Sequence, residues 1–284
     1  MAAGREADAG IERSEPCYST SVSCEADAGI ERSEPCYSTS VSCEADADVS
    51  LALFLVESLP AGDSFVLDGP EGHHAANVQR LRVGERLLLG DGRGGTASAE
   101  VTSVGKGVLA LSVTDRAYVE PPSPRIVVAQ GIPKGDRGEL AVQAMTEVGV
   151  DEIVPWAASR CVSVWRGERG TKARDKWAAT AREAAKQARR PWLPVVAPES
   201  VSTKALATRS EILVLHEEAR IPLSTVELPS AGDIVLVVGP EGGITPEELA
   251  ALGGTAVRLG ENVLRTSTAG LAAACVLSTR LGRW

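Results

Sequence analysis

The chain has 284 residues, of which 44% are hydrophobic, and its formal net charge at pH 7 is −9. This composition is sufficient for a buried core, and no apolar run reaches the roughly 20 residues that a membrane-spanning helix requires. The N-terminus is acidic and polar, unlike a secretory signal, so we expect a soluble, cytoplasmic protein.

The charge is unevenly distributed along the chain. Residues 1–47 carry ten acids and three bases, which leaves 28 acids and 26 bases, a net −2, for residues 48–284. Residues 160–190 contain ten Lys or Arg and three acids, a local charge of +7. Such a basic stretch indicates either contact with a polyanion or a helix face exposed to solvent.

The first 47 residues form a duplicated tail. Residues 6–24 recur unchanged at 25–43, and they hold four of the six cysteines without a histidine. The spacing of these cysteines does not match a zinc site, and the repeat lacks a sustained apolar period. We therefore predict a disordered tail over 1–47. The remaining cysteines, Cys161 and Cys275, are typical of a reducing compartment.

Residues 48–120 predict a small β barrel, because short β runs alternate with glycine. These runs are "SFVLDG", "ERLLLGDG", "ASAEVTSV" and "GVLALSVTD". The motif "GDGRGG" (90–95) has the spacing of a dinucleotide fingerprint, but β sequence follows where that fingerprint needs a helix, so we predict a hairpin turn. The sequence has no P-loop, and "VEPPSP" (119–124) is typical of a rigid joint between domains.

A further motif in this region is "DGPEGHHAANVQRLRVG" (68–84), with adjacent His73 and His74. Neighbouring residues of an extended stretch face opposite sides, so we do not expect these histidines to share a metal ion. Two interpretations stay open. Either a short helix carries Arg80 and Arg82 toward a polyanion, or a barrel lid exposes them to solvent.

Residues 125–284 alternate between β and α patterns, which predicts an α/β domain with a mainly parallel sheet. The predicted strands are "RIVVAQG", "EIVP", "EILVLHE", "DIVLVVG" and "TAVRLG". The predicted helices cover 138–149, 171–190, 245–252 and 267–280.

The stretch "VVGPEGGITPEEL" (237–249) joins a buried strand to a helix. Thr245 and Glu248 have the spacing of a capping box, and Pro246 occupies the first helical position. The loop 239–243 should therefore lie at the carboxyl edge of a parallel sheet, where ligands bind in open α/β folds. A tight turn without a ligand is the alternative.

The charge of this loop narrows the choice of ligand. A helix N-terminus favours phosphate, but Glu241, Glu247 and Glu248 would repel one. We therefore expect a cationic or neutral nucleoside-like ligand. The next strand ends in "RLGENVLRTSTAGLAAACVL" (258–277), which leaves the same sheet edge and places Arg265 near that ligand.

The two C-terminal motifs, "VGPEGGITPEEL" and "LGENVLRTSTA", resemble those of the RsmE family of ribosomal RNA methyltransferases in the SPOUT superfamily. "KGDRGELAVQAMTEVGVDEIVPWAASRCV", "AREAAKQARRPWLPVV" and "HHAANVQRLRVGE" are similar to the same family, so the resemblance covers about 50–284. It implies a PUA-like RNA-binding β barrel over 48–120 and a SPOUT-type knotted α/β methyltransferase domain over 125–284. It also implies a homodimer that uses S-adenosylmethionine to methylate N3 of a uridine in 16S ribosomal RNA of the small ribosomal subunit.

The resemblance also implies roles for individual residues, with no metal ion and no membrane. The cofactor would rest on three loops, through Leu215, His216, Gly239, Pro240, Glu241, Gly242, Gly243, Leu259, Gly260, Asn262, Leu264 and Thr266. The RNA phosphates would contact Arg80, Arg82, Lys134, Arg137, Arg160, Arg189 and Arg190.

The reaction itself would be direct transfer of the methyl group to N3, whose proton must leave. Arg265 is our candidate for the cation that stabilises the uridine anion, and Glu241 is the candidate base. The family often has Glu where this chain has Ser267, so any role of that Glu passes to another group here. Two alternatives are a SPOUT methyltransferase acting on transfer RNA or large-subunit RNA, and a non-catalytic RNA-binding ribosome-assembly protein.

Overall fold

The computed structural model describes residues 51–284, in which two β-sheets follow one another along the chain. The predicted disordered tail, 1–47, lies outside the described residues. The first sheet belongs to the part of the chain up to residue 118, which we call the N-terminal β domain. The second sheet belongs to the α/β part that begins at residue 125.

The N-terminal β domain contains five strands in the order β1-β3-β4-β5-β2. Their bounds are β1 Leu53–Leu55, β2 Ser64–Leu67, β3 Arg86–Gly90, β4 Gly95–Gly105 and β5 Val108–Tyr118. Strands β1 and β3 are parallel, and the other neighbours are antiparallel. Alternate residues of β4 and β5, such as Val101 and Leu111, are buried around Phe54 and form the core of this domain.

The predicted hairpin at "GDGRGG" is confirmed, because β3 and β4 pair antiparallel on either side of residues 91–94. The carboxylate of Asp91 accepts hydrogen bonds from the backbone N–H groups of Arg93 (2.7 Å) and Gly95 (3.0 Å). This Asx-type bonding stabilises the turn.

The segment after β2 is helical, as in one of the two interpretations given above, and not extended as we assumed for the two histidines. Helix α1 (Gly69–His73) continues into a π-helical turn over His74–Val78. His73 is bonded to Asn77 (2.8 Å) and His74 to Gln79 (3.2 Å), so both histidines are engaged locally. Arg80 and Arg82 follow the helical turns and are exposed, which corrects the interpretation in which a helix carries them.

The α/β part contains a seven-stranded sheet in the order β10-β12-β9-β11-β6-β7-β8, and every pair of neighbours is parallel, as predicted. The strands are β6 Arg125–Gly131, β7 Glu152–Trp156, β8 Val195–Val196, β9 Ile212–Leu215, β10 Ile221–Pro222, β11 Asp233–Val238 and β12 Thr255–Arg258. The helices are α2 Arg137–Glu147, α3 Gly167–Gln187, α4 Thr203–Leu206, α5 Pro246–Leu252 and α6 Thr266–Arg280. The four predicted helices correspond to α2, α3, α5 and α6 with ends shifted by up to four residues.

The helices cover both faces of this sheet, as an all-parallel sheet requires. Side chains that alternate along β6 enter two separate cores: Ile126 and Val128 pack with α2, α3 and α6, whereas Val127 and Ala129 pack with α4 and α5. A Cβ on Gly270 of α6 would lie 2.8 Å from the sulfur of Met145, so this glycine lets α6 approach α2 closely.

The chain that follows α3 docks on the hairpin of the N-terminal β domain. The N–H of Gly94 donates to the Pro191 carbonyl (2.9 Å), and the N–H of Leu193 donates to the Gly92 carbonyl (3.0 Å). The indole of Trp192 donates to the Val119 carbonyl at 2.8 Å. A Cβ on Gly94 would lie 2.8 Å from the Trp192 ring, so the glycines of "GDGRGG" provide the space for this contact.

Candidate active site

The residues predicted to bind a ligand meet at one edge of the parallel sheet. Strands β12, β9 and β11 are neighbours, and the loops that follow their carboxyl ends enclose a cleft of about 590 Å³. All twelve predicted cofactor-binding residues line this cleft, together with Arg265 and two predicted RNA-binding residues, Arg137 and Arg160. The structure therefore brings together residues from Arg137 to Thr266, which are far apart in the sequence.

The predicted capping box at the start of α5 is confirmed. The Thr245 hydroxyl accepts from the N–H of Glu248, and the Glu248 carboxylate accepts from the N–H of Thr245, both at 3.2 Å. The same carboxylate accepts from the N–H of Ser159 at 2.7 Å and from the hydroxyl of Thr203 at 3.3 Å. Burial raises the pKa of Glu248, but these hydrogen bonds outweigh it and lower the pKa overall.

The acids of the cleft differ from the predicted set. Glu248 is held within the capping network, and neither it nor Glu247 lines the cleft. The carboxylates that do line it are Glu241, Glu217 and Glu261. Four arginines, Arg137, Arg160, Arg258 and Arg265, line the same cleft, so its charge does not exclude a phosphate, which corrects our inference from the acids of the sequence. The orientation of Glu247 and Glu248 on the helical turn was not readable from composition.

The glycine loop 239–243 is held by residues from other parts of the chain. The Glu241 carboxylate accepts from the backbone N–H of Lys134 (3.2 Å) and pairs with the guanidinium of Arg137 (3.4 Å). Arg160 donates to the Gly242 carbonyl at 3.0 Å, and a Cβ on Gly242 would lie 2.8 Å from the Cβ of Arg160. Glu241 thus anchors the loop, which weakens its candidacy as a base.

Arg265 lies at the N-cap of α6, and its backbone carbonyl accepts from the N–H groups of Thr268 and Ala269, both at 2.9 Å. Its side chain is exposed, lines the cleft and has no hydrogen-bond or ion-pair partner among residues 51–284. A free guanidinium at this position can bind an anion that develops in the cleft. Ser267, the second residue of α6, is buried and does not line the cleft.

The predicted RNA-binding residues separate into two groups. Arg80, Arg82, Lys134, Arg137, Arg160 and Arg189 are exposed. Arg190 is instead directed inward, where it donates to the carbonyls of Thr146 (3.0 Å) and Val150 (2.6 Å) and pairs with Asp151 (3.5 Å). Burial lowers the pKa of Arg190, and Asp151 opposes that shift. Arg190 is therefore a structural residue, which corrects our prediction for it.

Gln130 was missed by the sequence analysis. Its side chain is fully buried beside the cleft and donates to the hydroxyl of Thr266 at 2.9 Å. One signal was available, namely a polar residue at the end of the apolar run "RIVVAQG". Among the described helices, none is long and apolar enough to cross a membrane, and the same residues hold no cluster of three or more potential metal ligands.

Two protein-family models match this chain, one over each of the two sheets. An RNA methyltransferase domain model matches residues 120–278, and an RNA methyltransferase PUA domain model matches residues 67–113. The fold and the cleft thus define the chain as an RNA methyltransferase with an accessory PUA domain.

Individual relatives make the assignment narrower. The chain is 45% identical over 244 residues to Ribosomal RNA small subunit methyltransferase E of Mycobacterium bovis, covering 82% of this chain and 93% of that protein. The Bacillus subtilis enzyme of the same name is 29% identical, covering 78% and 92%. A crystal structure of the Neisseria gonorrhoeae enzyme bound to S-adenosyl methionine is 30% identical with a TM-score of 0.71, covering 81% and 98%. The chain belongs to the ribosomal RNA small subunit methyltransferase E family. The predicted family and SPOUT-type fold are confirmed, and the trefoil knot stays a prediction.

Proposed function

We propose that this protein transfers a methyl group from S-adenosylmethionine to N3 of a uridine in 16S ribosomal RNA of the small ribosomal subunit. The observation that carries the proposal is the cleft at the carboxyl ends of β9, β11 and β12, which collects every residue that the family resemblance implies for the cofactor. The Neisseria gonorrhoeae relative, crystallised with S-adenosyl methionine, supports the same choice of cofactor.

The cleft suits this cofactor in size and charge. Its volume of about 590 Å³ is typical of a site for a molecule of that size. The carboxylates of Glu217, Glu241 and Glu261 can pair with the sulfonium and the ammonium group, and the four arginines that also line the cleft can pair with the carboxylate of the cofactor. A Cβ on Gly260 would meet no atom within 4 Å, so the backbone of this loop is open to a flat ligand. When bound, S-adenosylmethionine supplies an electrophilic methyl group.

Residues of the cleft then act on the uridine. The guanidinium of Arg265 stabilises the negative charge that develops on the base as its N3 proton leaves, because no acidic residue of the described chain neutralises it. Glu241 holds the glycine loop through Lys134 and Arg137, so it positions the cleft rather than removing the proton.

The RNA is bound at the rim of the cleft and around it by exposed basic residues of both parts of the chain. Arg80 and Arg82 belong to the N-terminal β domain, for which we propose RNA binding over 48–120, with methyl transfer over 125–284. Lys134, Arg137, Arg160 and Arg189 complete the set of phosphate contacts. Val263 and Leu264, which line the cleft, are 78% and 40% exposed, and a homodimer would bury such apolar surface.

The test uses purified protein, isotopically labelled S-adenosylmethionine and small subunits from a strain that lacks this gene. Naked 16S RNA and transfer RNA are incubated in parallel, and the products are digested for nucleoside mass spectrometry. We expect labelled 3-methyluridine from the small subunit. Label in another RNA would overturn the substrate, and cofactor binding without label in any RNA would favour a non-catalytic RNA-binding protein.

A further inference from the structure

A buried hydrogen-bond relay connects the end of β6 to two walls of the cleft. The Nε2 of Gln130 donates to the hydroxyl of Thr266 (2.9 Å), and that hydroxyl donates to the Gly239 carbonyl (2.7 Å). The same Nε2 lies 3.1 Å from the Gly131 carbonyl and 3.3 Å from the Thr266 carbonyl. We call Gln130, Thr266 and the Gly239 carbonyl the cleft relay.

The direction of the cleft relay follows from the number of protons available. The Thr266 hydroxyl has one proton, and the Gly239 carbonyl can only accept. The amide of Gln130 must therefore present its NH₂ group to Thr266, and the two neighbouring carbonyls favour the same orientation. The orientation of the Gln130 amide thus fixes the direction of the hydrogen bond from Thr266 to the Gly239 carbonyl.

The relay joins segments that are far apart in sequence but in tight contact. Gln130 pairs with Val238 in the sheet, one residue before the glycine loop, and Thr266 is the first residue of α6. A Cβ on Gly131 would lie 2.6 Å from the nitrogen of Pro240, so β6 and the loop 239–243 are packed without free space.

Stability alone does not explain a glutamine at this position. The Oε1 of Gln130 is buried and has no hydrogen-bond partner among residues 51–284. An unpaired buried acceptor is unfavourable, and an apolar side chain of similar volume would avoid it. A buried polar side chain beside a ligand cleft, with one acceptor left unpaired, indicates a role in organising that cleft.

We propose that Gln130 and Thr266 are positioning residues for methyl transfer, which rests on the proposed function of the cleft. The relay fixes the loop 239–243 against the start of α6, and α6 carries Arg265 at its N-cap. In-line transfer requires the methyl donor, the acceptor base and the stabilising cation to be aligned closely. The relay sets that alignment, so it acts through the backbone and not by touching the reacting atoms.

The primary test compares Thr266→Val with Thr266→Ser. Valine keeps the shape of threonine but removes the hydroxyl, so it should weaken cofactor binding by roughly tenfold and slow single-turnover methylation by roughly a hundredfold. RNA affinity should not change. Serine restores the hydroxyl and should fall between the wild type and Thr266→Val. Gln143→Leu, on the exposed surface of α2, is the control and should match the wild type.

A pH profile separates the relay from packing. Ionised glutamate can only accept, so in Gln130→Glu it draws the Thr266 proton away from the Gly239 carbonyl, whereas protonated glutamate can donate as the amide does. Burial raises the pKa of such a carboxyl group. The rate of Gln130→Glu relative to the wild type should therefore rise as the pH falls. A role in packing alone predicts a ratio that does not depend on pH.

Two results would overturn the proposal: Thr266→Val and Thr266→Ser impaired to the same degree, or a Gln130→Glu ratio that is flat with pH. Calorimetry of S-adenosylmethionine binding and amide hydrogen exchange of residues 239–243 need no RNA. A wild-type protein that binds the cofactor but methylates no RNA would overturn the proposed function. The cofactor affinities and hydrogen-exchange rates of the two Thr266 variants, compared with each other, would still test the relay in that case.

Discussion

The ammonium group of Lys186 lies 3.0 Å from the carboxylate of Glu71, and this ion pair joins α3 to α1 of the N-terminal β domain. The Lys186 side chain is only 9% exposed and that of Glu71 15%. Arg182 lies 3.8 Å from the same carboxylate oxygen. Trp192, which follows α3, contacts the hairpin of the same domain. The N-terminal β domain is thus attached to the α/β part at two nearby points, Lys186 and Trp192. We therefore expect RNA bound by that domain, as proposed above, to be kept in a fixed orientation to the α/β part.

Removing one partner of this pair should be much more harmful than removing an exposed pair. Lys186→Met leaves Glu71 buried without its main partner, which we expect to reduce the free energy of unfolding by about 3–5 kcal/mol. Cofactor affinity should persist, because the cleft lies elsewhere, while the KM for RNA should rise. Urea unfolding, calorimetry and initial rates measure these effects. Lys172→Met, which removes an exposed pair with Glu168, should change stability by less than about 1 kcal/mol.

The charge reversal of both residues, Lys186→Glu with Glu71→Lys, provides the control for that prediction. The double variant should recover part of the stability and of the RNA affinity that Lys186→Glu alone loses. Recovery of neither would show that the ion pair does not set the position of the N-terminal β domain.

Arg265→Ala should lower the rate of methyl transfer by roughly 100- to 1000-fold, because it removes the cation that stabilises the uridine anion. The structural cost should be small, since the Arg265 side chain is exposed and the cap of α6 uses its backbone carbonyl. Single-turnover assays and calorimetry with S-adenosylmethionine separate rate from affinity. An unchanged rate would remove Arg265 from the mechanism.

Adjacent Arg189 and Arg190 should respond oppositely to alanine. Arg189 is exposed, so Arg189→Ala should leave stability unchanged and reduce the salt dependence of RNA binding by roughly 0.7 to 0.9 in the slope of log K against log salt. Arg190→Ala leaves two buried carbonyls and Asp151 without this donor, which should cost about 1–3 kcal/mol of stability. Filter binding at several salt concentrations and thermal unfolding distinguish the two. Equal effects on RNA binding would contradict the assignment.

Glu248→Gln should destabilise the protein by about 1–3 kcal/mol at pH 7, because the NH₂ group then faces the backbone N–H of either Ser159 or Thr245, which loses its acceptor. The folded-state pKa of Glu248 lies below its ordinary value of 4.5, so its carboxylate contributes fully above pH 4.5 and that contribution is lost as the pH falls through the folded-state pKa. The gap between wild type and variant should therefore narrow in acid. Urea unfolding from pH 7 to pH 3 tests this, with the exposed Glu227→Gln as control. A gap that is constant to pH 3 would refute the prediction.

The predictions that the structure confirmed depend on residues only a few positions apart. The capping box of Thr245 and Glu248, the hairpin at 90–95 and the period of each buried strand involve neighbours within one turn or one pleat. The specific spacing of the two C-terminal glycine motifs identified the family, and the place of loops at the carboxyl edge of a parallel sheet predicted where the cleft would form.

The tertiary structure decided which way side chains point and which distant residues meet. Whether Arg190 faces RNA or Asp151, and whether Glu248 faces the cleft or Ser159, depends on elements that lie about forty to ninety positions away. Gln130 and Thr266 are 136 positions apart and meet because β6 lies beside β11 in the sheet. Periodicity predicts that a strand is buried but not which strand is its neighbour, since the order of parallel strands is set by packing of the whole chain. The sequence by itself therefore determined the main elements, the family and the loops that form the cleft, and the packing of the whole chain determined which side chains line the cleft and how it is held.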